Sequence, residues 1–80
     1  MSTNVISPPR IIGCDVGKTS ITVFDTATGR TGEIANTAEA LCAFAQDLPP
    51  GCLVVCEVTG GYEAALLTAT ADAGVPAHLS

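Results

Sequence analysis

Residues 10–25, RIIGCDVGKTSITVFD, and residues 52–58, CLVVCEV, decide the fold. Each opens on an unbroken apolar run, the pattern of a strand covered on both faces. Each run closes on an acid, Asp15 in the first and Glu57 in the second. After Asp15 the alternation of Ile21 and Val23 reads as another strand. A glycine-bearing turn at Thr28–Arg30 and a short extended segment through Ile34 make it a hairpin. Asn36-Thr37-Ala38-Glu39 fits a capping box with Asn36 as the cap, opening a helix with Leu41, Phe44, Ala45 and Leu48 on one stripe. Pro49-Pro50-Gly51 stops it. Beyond Glu57, Thr59-Gly60-Gly61 turns into an alanine-rich helix, YEAALLTATADAG, with Leu66 and Ala69 on one face and Gly74 at its end. VPAHLS then starts a third buried strand. Residues 1–9, MSTNVISPP, read as a flexible leader, which leaves 10–80 as the folded part.

Composition narrows the function classes. Of 80 residues 48% are hydrophobic but only Phe24, Phe44 and Tyr62 are aromatic, so aliphatic side chains and alanine must fill the core. Arg10, Lys18 and Arg30 stand against eight acids for a net charge of -5. Proteins that hold nucleic acid by counterion release show clustered basic residues. Any such contact here therefore needs bound cations or basic surface supplied from elsewhere. Cys14, Cys42, Cys52 and Cys56 have no C-x-x-C spacing, and no signal peptide precedes them. The pattern is that of a reduced, cytoplasmic protein whose cysteines are small buried hydrophobes. No apolar run reaches membrane-spanning length, so no membrane association is expected.

The element order is strand, strand, strand, helix, strand, helix, strand. Three antiparallel strands followed by alternating helix and strand give an α/β fold of the ribonuclease H type, a mixed sheet with parallel central neighbours and helices on its faces. If the strands ending in Asp15 and Glu57 are neighbours, both carboxylates emerge at one edge of the sheet. Paired carboxylates with water suit Mg²⁺ or Mn²⁺, the ions of two-metal phosphodiester chemistry. The plainer alternative is two strand-end acids that merely meet solvent.

The residues around the two acids resemble the N-terminal domain of DEDD transposases, the bacterial insertion-sequence family numbered one-ten. That family pairs an apolar strand bearing Gly-x-Asp-x-Gly-Lys with a later Glu-x-Thr-Gly-x-Tyr that opens a helix. The two signatures stand here as Gly13, Asp15, Gly17, Lys18 and as Glu57, Thr59, Gly60, Tyr62. The resemblance runs from about Arg10 to Ser80. It implies a RuvC-like fold, incomplete on its C-terminal side, and Mg²⁺-dependent cleavage and recombination of DNA strands in transposition. It also implies guidance by an RNA. Asp15 and Glu57 take the places of the family's first aspartate and its glutamate, as catalytic and metal-binding residues. The other two aspartates and a serine-bearing C-terminal domain have no counterpart in residues 1–80, so the chain alone is expected to be inactive. Self-association or a C-terminal transposase portion would complete it.

Lys18, Thr59, Gly60 and Tyr62 are candidate nucleic-acid contacts: Lys18 for a phosphate, Thr59 and Gly60 for an anion at a helix start, Tyr62 for stacking on a base or sugar. A solvated lysine, a plain turn and a core-packed tyrosine are the alternatives. His78, without a partner, reads as structural. Gly13 to Thr19 approaches a phosphate-binding loop, but three residues separate its glycines where four are needed, and a strand pattern follows Lys18-Thr19 where a helix is needed. An ATP-binding fragment of the sugar-kinase and actin superfamily is a closer rival, since it uses a Gly-rich, Asp-bearing hairpin around phosphates. A non-catalytic remnant or interaction module is the third reading.

Overall fold

The computed structural model describes residues 10–57 and 60–80. The leader at 1–9 and the candidate contact Thr59 lie outside the described residues. The elements are β1 (Arg10–Val16), β2 (Ser20–Asp25), β3 (Arg30–Ala35), α1 (Ala38–Asp47), β4 (Cys52–Glu57), α2 (Ala64–Asp72) and β5 (Ala77–Leu79). They form one mixed sheet in the order β3-β2-β1-β4-β5. The β1–β2 and β2–β3 pairs are antiparallel, while β1–β4 and β4–β5 are parallel. The hairpin thus flanks the Asp15 strand on one side and the Glu57 strand lies parallel to it on the other, as the sequence predicts.

Strand alternation sorts the side chains. Ile12, Cys14 and Val16 of β1, Ile21 of β2, and Cys52, Val54 and Cys56 of β4 are buried together with Leu41 and Ala45 of α1 and Leu66 and Ala69 of α2. Both helices therefore pack on the same face of the sheet, against each other and against one row of strand side chains. This corrects the expectation of central strands covered on both faces. Ile11, Leu53 and Val55, on the other parity, are only half-buried among the described residues. An apolar run records that both faces are apolar, not that both are covered.

Three more local readings change. Thr37 is the cap of α1, its hydroxyl accepting from the Ala40 amide at 3.2 Å. The Asn36 side chain instead donates to the carbonyls of Gly17, at 2.8 Å, and Tyr62, at 3.1 Å. Helix α2 begins at Ala64 with Glu63 in the cap position and no side-chain cap, so Tyr62 precedes the helix. Strand β5 is exposed along its length, with Leu79 43% accessible, because it lies at the sheet edge beyond β4.

One ion pair ties the foot of β1 to the hairpin. The Arg10 guanidinium meets both carboxylate oxygens of Asp25, with Nε donating to Oδ1 at 3.2 Å. Oδ1 also accepts from the Ala27 amide at 2.9 Å, closing the hairpin turn. The guanidinium first, then the Ala27 amide, hold the Asp25 carboxyl at about 2 despite the opposing effect of burial. A carboxylate whose folded-state pKa is depressed contributes stability above its unfolded value of about 3.9 and loses it as pH falls toward the folded value. Between about pH 4 and pH 2, D25N should lose less stability than the parent chain. Urea titrations of both at stepped pH measure this; parallel acid profiles would show that the pair is solvent-screened to nothing.

Candidate metal and nucleic-acid site

Asp15 and Glu57 are direct register partners across the parallel β1–β4 pair. Asp15 is also opposite Thr22, and Thr22 is opposite Glu33. Register partners point to the same side of a sheet, so Glu33, Thr22, Asp15 and Glu57 make one exposed row across four strands, on the face the helices leave uncovered. Adjacent strands are about 4.8 Å apart, which lets the Asp15 and Glu57 carboxylates reach a common cation. Glu33 is two strands from Asp15, at about twice that spacing, and it accepts from the Ser20 hydroxyl at 3.2 Å. Sequence reading missed Glu33, because only the register brings it into the row.

The row borders a shallow depression of about 270 Å³. Asp15, Thr22 and Glu57 form its polar end, and Gly13, Phe24 and Val55 its apolar floor. Phe24 is 43% exposed. His78, opposite Val55 on β5, shares this face and is exposed. The donors are hard oxygens with open positions for water, which fits Mg²⁺ or Mn²⁺ held by few protein ligands. Among the described residues no three His, Cys, Asp or Glu side chains are grouped to hold a metal, so the set is a pair.

Of the three motif glycines, Gly17 has a clear steric reason. A Cβ on Gly17 would lie 2.9 Å from the Ser20 carbonyl, which accepts the Gly17 amide at 2.9 Å in the β1–β2 turn. A Cβ on Gly60 would meet the Tyr62 ring at 2.8 Å, a clash that the exposed ring can relieve by turning aside. Tyr62 is 46% exposed, outside the core. Lys18 is exposed in the same turn as Gly17 and makes no salt bridge among the described residues. Asn36 brings these candidates together, since its two hydrogen bonds span the Gly17 and Tyr62 carbonyls. Lys18, Gly60 and Tyr62 thus lie on two loops fastened to one side chain.

Directly behind the carboxylates, on the core face, Cys14 and Cys56 are also register partners. The Cys56 thiol and then burial push the Cys14 thiol far above the ordinary cysteine range. Cys56, able to accept from Cys14, is held below its ordinary value against burial and the nearby Glu63 carboxylate. Oε1 of Glu63 is buried without a hydrogen-bond partner among the described residues. Among the described residues no helix is long and apolar enough to cross a membrane. Compared with known proteins, the chain matches no family model and none of the curated sequences.

Proposed function

We propose that this chain is the front part of a ribonuclease H-like, RuvC-type domain of a DEDD insertion-sequence transposase, with Asp15 and Glu57 as two of its metal-holding carboxylates. The observation that carries the reading is the pairing of Asp15 with Glu57 on adjacent parallel strands, flanked by the antiparallel hairpin. The sheet order β3-β2-β1-β4-β5 also suits a ribonuclease H-like domain. A bound Mg²⁺ or Mn²⁺ would supply charge stabilisation at a phosphodiester. The protein side chains have a narrower task. Asp15 and Glu57 hold the cation on the open face, Thr22 and Gly13 leave room beside it, and Lys18 places a positive charge at the next turn. DNA is the substrate class, with guide RNA and the remaining transposase portion as partners.

A chain of charge -5 repels a polyanion, so its contact with DNA should depend on the cation. The expected result is retention of branched DNA in gels run with Mn²⁺, loss of retention in EDTA, and loss in D15A. Supercoiled plasmid should remain uncut, since two carboxylates cannot fix both ions of a two-metal site. Retention that ignores EDTA and D15A would sink the reading. Thermal stabilisation by ATP with none by Mn²⁺ would move the chain to the kinase and actin class.

A further inference from the structure

Cys14 and Cys56 leave β1 and β4 on the same side of the sheet, at one register level, and both are buried, 3% and 0% accessible. Neighbouring strands are about 4.8 Å apart. Disulfides join Cα atoms separated by about 4.4–6.8 Å, so the backbone spacing already lies in the bridging range. The other two cysteines are excluded by position. Cys52 is four residues from Cys56 on one extended strand, about 13 Å away, and Cys42 is exposed on α1. Its thiol accepts from the Gln46 amide at 3.3 Å. All four are free thiols.

We propose that Cys14 and Cys56 are an oxidation site, a cross-strand thiol pair that peroxide converts into an intrachain disulfide linking β1 to β4. The chemistry balances without a further reactant. One sulfur, having lost its proton, attacks a peroxide oxygen and breaks the O–O bond, giving a sulfenic acid and, after proton uptake, water. The second sulfur displaces the hydroxyl, forming the S–S bond and a second water. Two thiols are oxidised and one peroxide is reduced. Parallel register partners direct their Cβ atoms side by side rather than toward each other, so the bond draws the strands together locally and is readily reduced. Burial makes the reaction slow, because a small uncharged oxidant must enter through local opening of a small domain. This inference is independent of the transposase reading, since it concerns the core face of the sheet.

The test uses the unmodified chain, kept folded as judged by far-UV circular dichroism, incubated with hydrogen peroxide and then denatured with its free thiols blocked. The expected result is a fall from four titratable thiols to two, a mass lower by two hydrogens, and an unreduced peptic peptide pair containing Cys14 and Cys56. Dithiothreitol should restore all four thiols. A C42S/C52S chain, which keeps two thiols, should fall from two to none with the same loss of two hydrogens, which removes both competitors. Four thiols surviving on the folded chain, linkage through Cys42 or Cys52, or sulfinic acid on an unlinked Cys56 would each overturn the proposal.

Discussion

Leu66→Ala is expected to remove roughly half of the domain's stability, about 2–5 kcal/mol. Leu66, on α2, is 0% accessible and belongs to one core cluster with Leu41 of α1, which is equally buried. Truncation loses the transfer energy of the side chain and leaves a cavity that short helices cannot close. A chain of this length has only about 4–12 kcal/mol to lose, at roughly 0.05–0.15 kcal/mol per residue. Leu79→Ala is the matched control, the same chemistry at a site 43% exposed on the edge strand, and should cost less than about 1 kcal/mol. Urea midpoints followed by circular dichroism compare them. Equal midpoints would mean that α2 does not seal the core in the way described.

The second large effect concerns the carboxylate row. Mn²⁺ at about ten times its dissociation constant should raise the stability of the parent chain by about 1.4 kcal/mol, because the folded state alone pairs Asp15 with Glu57. For a domain of this size that is a rise in Tm of roughly 5–10 °C. D15A and E57A should show no rise, since each leaves a single carboxylate at the β1–β4 register position. E33Q should respond like the parent, because Glu33 is two strands from Asp15. Without metal, D15N should melt slightly above the parent, since like charges directly opposite one another on a sheet repel. Thermal melts of the five chains with and without Mn²⁺ decide the matter. A rise that survives in both D15A and E57A would place the cation elsewhere.

Much of this was legible in the sequence. The runs ending in Asp15 and Glu57 gave β1 and β4, the glycine-bearing turn gave the hairpin, and the placement of both acids at one edge of the sheet followed once the strands were taken as neighbours. The misses have physical causes. Asn36 and Thr37 both have cap-competent side chains, and only the fold shows that Asn36 has other acceptors within reach. Ile11, Leu53 and Val55 are as apolar as Ile12 and Val54, so sequence cannot say which parity the helices cover. Ala77 to Leu79 look like a core strand until their edge position is known. Glu33 sits on a polar strand whose register is set by the turn, and its membership of the row is a tertiary fact. The Cys14–Cys56 alignment was hidden for the same reason, since it depends on the stagger between two strands separated by a hairpin and a helix.

The Asn36 carboxamide has a mechanical consequence. Its two N–H groups anchor the β1–β2 turn and the approach to α2, while its backbone amide donates to the Thr19 carbonyl at 3.0 Å. The two loops therefore share one fulcrum, and neither swings without stretching a bond to it. The Lys18 turn and the Tyr62 segment are therefore coupled through the Asn36 side chain rather than set independently.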